Sequence, residues 1–356
     1  MIALCGDIYR MIFFYFFSTF ILSFFVTAMV RAIMRAYRIV DSPKGEKRKI
    51  HKKKIPLGGG LAIFLSFFFV TSIAYVFGIV GERISLRTFL IIFLAGLVLM
   101  VGGILDDAKN LRARQQIVFP FLAAGIVACG GIGPAEISNP FGGTVPLVFG
   151  TSAVLVFLWL FGMMFTTKFL DGLDGLVSGI VSIGAIMIFF LSRQEQWFQP
   201  EVAVLALIFA GSCLGFLVWN WHPAKIFLGE GGSLFTGFLL GVLGIISGGK
   251  IMTTLLVVGI PFLDVIRVII MRWIKKRPIY LGDDEHLHFK LLHSGMTQKQ
   301  AVLLLYAISF TFGVTTLFLQ SRQKMIAFAF LFLLMLLMAI WLQTDDKKKQ
   351  LWQKNT

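Results

Sequence analysis

Long apolar stretches recur along the chain, most of them close to the roughly 20 residues that carry an α-helix across a bilayer. Eleven spans are predicted: 11–33, 58–80, 88–105, 116–133, 149–166, 175–191, 201–219, 232–248, 251–271, 300–319 and 325–342. The first has no basic leader or small-residue cleavage site, and Arg31 and Arg35 follow it as a stop. It therefore reads as a mature span rather than a signal peptide. The expected fold is an all-α polytopic membrane protein. One integral-membrane domain covers 1–342, and a basic cytoplasmic tail covers 343–356.

The polar connections alternate between two sides. One side carries 25 of the 33 Lys and Arg residues, and the positive-inside rule places it in the cytoplasm. An odd number of spans then puts the N-terminus outside and the C-terminus inside. Composition agrees with lipid as the solvent. The chain is 57% apolar and 14% charged, against roughly 45–50% and about 25% in soluble domains. A soluble globular enzyme is excluded. A net charge of +15 would suggest nucleic acid in a soluble protein. Here the charge is largely topological, and no nucleic-acid partner is expected. Cys5, Cys129 and Cys213 lie far apart in apolar context and read as packing residues in a reduced setting. Gly and Pro in 139–146 suggest a turn or small hairpin on the outer face.

The candidate chemistry gathers on the cytoplasmic side. Asp106, Asp107, Asp171, Asp174, Glu230, Asp283, Asp284, Glu285 and all five histidines lie there. A transporter would place such groups near the midplane, often at broken helices. Groups at one rim suit an enzyme that works on a lipid headgroup.

Asp106 and Asp107 end the third span in GGILDDAKNL. Adjacent carboxylates at a low-dielectric rim repel, so one can act as a base while a cation holds the other. Alone, the pair reads equally as ordinary helix-end charge. Asp171 and Asp174 in KFLDGLDGLVSG stand at i, i+3, which on a helix puts both on one face. A helix cap would need only one of them. In WNWHPAKIFLGEGGSLFTG, Gly229, Gly231, Gly232 and Ser233 precede an apolar helix, as in an anion-binding helix start. Glu230 is placed there for a metal or a sugar hydroxyl; a plain glycine-rich turn is the simpler alternative. His286 and His288 in GDDEHLHFKLLHSG suit a diphosphate, proton transfer or a metal, or belong to a solvated loop. The basic segment DSPKGEKRKIHKKKIPLGGG offers a surface for diphosphate or anionic lipid, which topology already explains in part. Asp264 and Arg267, i, i+3 within the ninth span, read as a mutually satisfied structural pair.

In order, these motifs run DxPxxxKRKxH with PxGG, DD, DGLDGL, NxxPAKxFLGxxGS and a late HxH. The set resembles the polyprenyl-phosphate N-acetylhexosamine-1-phosphate transferases of glycosyltransferase family 4, from about Asp41 to Gly295. The PLGGG and HLH forms resemble the GlcNAc-1-phosphate branch more than the muramoyl-pentapeptide branch. The resemblance implies transfer of a sugar-1-phosphate from a UDP-sugar to undecaprenyl phosphate, with release of UMP. This would be the first membrane step of cell-envelope glycan synthesis, in the cytoplasmic membrane. It implies catalytic roles for Asp106 and Asp107 (a base and its neighbour), Asp171 and Asp174 (nucleotide and diphosphate), and His286 and His288 (diphosphate). It also implies substrate contacts at Lys49, His51, Lys109, Asn220, Lys225, Gly229 and Ser233. Mg²⁺ is the implied cofactor, and a homodimer the implied assembly.

Three positions depart from the family pattern. Phe289 stands for the third histidine, Lys168 for an Asn, and Glu230 for an Asp. The last two are the positions that hold Mg²⁺ in relatives. An ammonium has no lone pair to offer a metal. The paired change predicts a Lys168–Glu230 ion pair where relatives place Mg²⁺; the alternative is that Lys168 snorkels away and Glu230 alone binds the metal. The departures also allow a second function, a catalytically impaired member that binds polyprenyl phosphate or a nucleotide sugar as a partner or regulator.

Overall fold

The computed structural model describes residues 2–43, 53–138, 143–195, 198–248, 251–274, 276 and 286–355. Lys49, His51, Asp283, Asp284 and Glu285 lie outside the described residues.

Fourteen helices follow in order among the described residues: α1 Ile2–Ala36, α2 Gly59–Val76, α3 Leu86–Lys109, α4 Ala113–Gln116, α5 Val118–Cys129, α6 Phe149–Leu170, α7 Leu176–Ser192, α8 Pro200–Asn220, α9 Gly229–Ile246, α10 Ile251–Val257, α11 Gly259–Ile274, α12 Leu287–His293, α13 Gln298–Thr315 and α14 Ser321–Asn355. The protein is an all-α multi-pass membrane protein. Among the described residues, six helices (most of α1, then α2, α3, α6, α8 and α9) are long and apolar enough to cross a bilayer unaided. A seventh span arises only if α10 and α11, bent by 80°, count as one. The expectation of eleven full-length spans is thus not matched by eleven full-length helices. Proline explains two of the breaks. Pro120 and Pro261 each sit third in their helices, where the missing N–H ends the hydrogen-bond ladder behind them. The ladder restarts at α5 after Ile117 and at α11 after Val258. α14 runs through position 343 without interruption, so the basic tail continues a helix.

Apolar side chains fill the interior and also cover the outer surface. Along α1 the outer face shows Phe13, Phe17, Ile21, Phe25 and Met29. The inward face carries buried Thr19, Ser23 and Thr27. The Ser23 hydroxyl donates to the Ser212 carbonyl of α8 at 2.6 Å. Gly211 and Gly215 let the two backbones approach there: a side chain at Gly211 would meet the Phe16 carbonyl at 2.6 Å. Lipid offers apolar groups no reason to hide, so small residues and hydroxyls make the helix contacts. α9 is the hub, packed by α2, α3, α6 and α7. Cys213 is buried as expected, but Cys129 is exposed.

The two ends of the bundle differ. At the far end, β3 Glu136–Ser138 and β4 Thr144–Pro146 form the expected small hairpin. There too Glu201 accepts the N–H groups of Gly81, Arg83 and Ile84 at 3.1, 2.7 and 2.9 Å. At the other end, β1 Val40–Asp41 pairs antiparallel with β2 Ile55–Pro56. The main-chain mesh continues from Phe227 to Pro56 (2.8 Å), Gly59 to Phe227 (2.9 Å) and Gly60 to Leu228 (2.8 Å). This mesh sets residues 56–60 against the segment that carries Glu230.

Candidate active site

The carboxylates converge where α3, α6 and α9 meet. Two glycine contacts make that approach possible. Gly60 lies against Gly232, and Gly103 against Gly231, so α2 and α3 touch α9 backbone to backbone. The GEGG run therefore serves helix contact. Gly231 and Gly232 are buried, and the Ser233 hydroxyl is turned inward to the Glu230 carbonyl at 2.9 Å.

Asp106 and Asp107 have different partners despite adjacency. Asp106 is buried, and one oxygen accepts from the Leu111 N–H at 2.7 Å and the Gln116 amide at 3.1 Å. It holds the bend between α3 and α4. Asp107 is only partly buried and accepts the Glu230 N–H at 3.0 Å. Gly229, beside it, has φ +78° and no room for a side chain against that carboxylate.

Lys168, in the last turn of α6, forms an ion pair with Glu230, as the paired replacement predicted. Its ammonium also donates to the Gln116 carbonyl oxygen at 3.0 Å. The Gln116 amide nitrogen reaches both Asp106 and the Leu111 carbonyl at 3.1 Å. The chain Glu230–Lys168–Gln116–Asp106 thus spans four helices, α9, α6, α4 and α3. Nothing in the sequence singled out Gln116; a polar residue in an irregular four-residue helix carries no pattern of its own.

The DGLDG segment is not helical, so the shared face that a helix would give does not arise. Residues 171–175 form a turn, so Asp171 and Asp174 diverge. Asp171 caps α6 and has no hydrogen-bond donor among the described residues. Enclosure by the site's walls, then the negative charges of Glu230, Asp107 and Asp174, raise its pKa. Much of Asp171 nevertheless meets solvent, so the charge repulsion is the cause to weigh most. Asp174 pairs with His222 Nδ1 at 2.7 Å and accepts the Ala224 N–H at 3.1 Å. Asn220 is buried and bolts the turn to the next segment: it accepts from Gly175 N–H and donates to the Ile226 carbonyl, each at 3.0 Å. The Tyr306 hydroxyl donates to the Gly175 carbonyl from α13.

The HxH segment closes over this turn. His286 Nδ1 lies 2.9 Å from Asp264, which also accepts the Leu287 N–H at 3.0 Å and the Arg267 guanidinium at 2.7 Å. Asp264 is therefore more than one half of a structural pair: it fixes the loop that carries both histidines. Its partner lies 22 residues away across a bend, which spacing could not reveal. The His286 ring stacks on Phe169 and on His288, each at 5.7 Å. His288 is 2% exposed, and among the described residues its Nε2 has no hydrogen-bond partner. It faces Gly172, where any side chain would strike the His288 and Phe289 rings. Burial, then the neighbouring His286, pull its pKa down to about 3 against the opposing pull of Asp264, so the ring is neutral at physiological pH.

Two candidate contacts stand apart. Lys109 is exposed at the end of α3. Lys225 is exposed, and its ammonium lies over the Trp219 ring at 5.2 Å, on which the Arg31 guanidinium also sits at 5.5 Å. Among the described residues no three His, Cys, Asp or Glu groups are disposed to hold a metal ion. The carboxylate that would bind one is occupied by an ammonium. The donor set does not fit Mg²⁺.

The profile of glycosyl transferase family 4 matches residues 89–248, which contain the Asp106–Asp107 pair, the DGLDG turn and Glu230. A probable undecaprenyl-phosphate N-acetylglucosaminyl 1-phosphate transferase of Bacillus subtilis is 32% identical, over 83% of this chain and 81% of the relative. A decaprenyl-phosphate N-acetylglucosaminephosphotransferase of Mycobacterium tuberculosis is 29% identical, over 80% and 77%. A phospho-N-acetylmuramoyl-pentapeptide-transferase of Halalkalibacterium halodurans is 29% identical, over 85% and 96%. With the matched motifs gathered at one end of a helical membrane bundle, the chain belongs to glycosyl transferase family 4.

Proposed function

We propose that the protein transfers a HexNAc-1-phosphate from a UDP-sugar to undecaprenyl phosphate, giving a lipid diphosphate sugar and UMP. The observation that carries this is the convergence of Asp107, Asp171 and Glu230 with the Lys168 ammonium at one end of the bundle, framed by family motifs. A lipid phosphate reaches that rim along the membrane, and a nucleotide reaches it from water.

In the reaction an oxygen of the lipid phosphate attacks the phosphorus that bears the sugar. The P–O bond to UMP breaks, and UMP leaves. Both reactants are anions, so the protein's work is to position them and offset their charge. Asp107 accepts a proton from the lipid phosphate, while Asp106, committed to Leu111 and Gln116, keeps the α3–α4 bend in place. Asp171 orients a hydroxyl or protonated phosphate at the mouth of the site. Neutral His288 offers Nε2 to a diphosphate oxygen across Gly172. Asp174, His222 and Asn220 hold the turn that carries Asp171.

The same reading places eleven passes in the membrane, the shorter helices included. The N-terminus lies outside and the site faces the cytoplasm, with 1–342 as one membrane domain ahead of the basic tail. It also includes a homodimer. The test is purified protein with undecaprenyl phosphate and a panel of UDP-HexNAc donors, with UMP and the lipid product both measured. UMP formed in step with a lipid diphosphate sugar supports the proposal. Absence of UMP with every donor, while a UDP-HexNAc or the lipid phosphate still binds, overturns it in favour of a binding-only family member, the reading that the Lys168–Glu230 pair favours.

A further inference from the structure

We propose that Lys168 is a built-in counter-ion for the carboxylate pocket, aimed by Gln116, and that the protein handles its diphosphate substrate with this tethered ammonium in place of a divalent cation. The inference rests on the transfer reading for its substrate, but its geometry stands independently.

Asp106, Asp107 and Glu230 lie within one hydrogen-bond chain, and Asp171 feels the charge of two of them. Carboxylates gathered at a low-dielectric rim need a cation before any anionic substrate can enter. Among the described residues the ammonium of Lys168 is the cation paired with Glu230.

The ammonium is also fixed in place. Its side chain is 18% exposed, so it does not snorkel into water. The Gln116 amide is oriented without ambiguity. Its nitrogen serves two acceptors, Asp106 and the Leu111 carbonyl, which leaves its oxygen to receive Lys168. The Phe165 ring, 5.8 Å from the ammonium, backs the site from the preceding turn. An ammonium has three donors. Glu230 and Gln116 take two, and the third is left for a phosphate oxygen.

Mg²⁺ requires oxygen ligands at roughly 2.0–2.1 Å in near-octahedral geometry. An ammonium already in contact with the Glu230 oxygen would sit against that ion as a like charge. Lys168 and a divalent cation therefore cannot share Glu230, and Lys168 supplies no lone pair to compensate. Gln116 is a positioning residue in this arrangement, since it acts on the site through Lys168 and Asp106.

Mn²⁺ serves as the probe, because its binding is read by electron paramagnetic resonance without turnover. Purified wild-type protein in nanodiscs is titrated with Mn²⁺, and UMP release is measured with Mg²⁺ and with excess EDTA. The expected result is no stoichiometric Mn²⁺ and a rate that changes by less than about twofold between the two conditions. One Mn²⁺ bound per chain and displaced by Mg²⁺ overturns the proposal, as does UMP release that EDTA abolishes. Absence of UMP in both conditions, together with no bound Mn²⁺, overturns the transfer reading and supports the ammonium assignment. The double substitution Lys168→Asn with Glu230→Asp should gain one Mn²⁺ site. Gln116→Leu should lower kcat in wild type by about tenfold or more with little change in KM for the nucleotide sugar. A Gln116→Leu protein with unchanged kcat removes Gln116 from the assignment.

Discussion

Gly232→Ala sets two effects of similar size against each other. Gly232 lies in the first turns of α9, and a side-chain carbon there would stand 2.6 Å from Gly60 Cα and 2.9 Å from Gly60 N. Neither contact is the end of a flexible side chain, so backbone must move. Restoring ordinary contact near 3.4 Å separates α2 from α9 by roughly 0.8 Å. Forced packing of this kind costs about 1–3 kcal/mol. Alanine returns about 1 kcal/mol through helix propensity. Net stability therefore falls by about 2 kcal/mol or less. Catalysis should suffer more, because Glu230 is two residues away and its ion pair and N–H contact are set by where α9 begins. Misplacement near 1 Å can cost about 100-fold in rate. Steady-state UMP release should thus drop by one to two orders of magnitude, roughly, while the melting temperature in detergent falls only a few degrees. Gly125→Ala is the control: among the described residues no atom lies within 4 Å of its added carbon, and both readouts should stay near wild type. A Gly232→Ala enzyme with near-wild-type turnover would refute the claim that helix approach positions the site.

Other perturbations probe different parts of the molecule. Asp264→Ala removes the carboxylate that Arg267, His286 and the Leu287 N–H share in a buried setting and should cost about 3 kcal/mol, measured by thermal denaturation with Asp264→Asn as the milder comparison. His288 is neutral in the fold because its pKa, about 3, lies below the ordinary 6.5. Its contribution to stability is complete above pH 6.5 and is lost as the pH falls toward 3. From pH 6.5 to about pH 5 the protein should lose about 2 kcal/mol, and His288→Gln should flatten that slope; an unchanged slope would mean that another group titrates. Glu201→Gln weakens three charge-assisted bonds at the far end and should lower stability by about 1–3 kcal/mol with turnover unchanged.

How far the sequence carried these features depended on their range along the chain. The Lys168–Glu230 pair was legible because two departures from one family pattern changed in complementary ways. The Asp264–Arg267 pair was legible because i, i+3 spacing on a helix dictates it. The Asp264–His286 contact was not, since a bent helix pair and a loop bring the two together. The i, i+3 spacing in DGLDG would put both carboxylates on one face only if the segment were helical. It is a turn because Gly175 adopts φ +79° and its N–H goes to Asn220, 45 residues on. The GEGG glycines suggested an anion site; that their lack of side chains also serves the crossing of α9 with α2 and α3 was not visible from the motif. The breaks before Pro120 and Pro261 were masked by continuous hydropathy, which counts proline as one more weakly polar residue.

The main-chain mesh of residues 39–41, 55–60 and 227–228 has a consequence for how this end of the protein tolerates change. Its hydrogen bonds use backbone atoms, so most side-chain replacements leave them intact. Removal of a single residue between Ile55 and Gly60 would instead slip every pairing by one position and turn alternate side chains to the opposite face. What is constrained here is chain length. A deletion in this stretch should disable the protein where several point substitutions together would not.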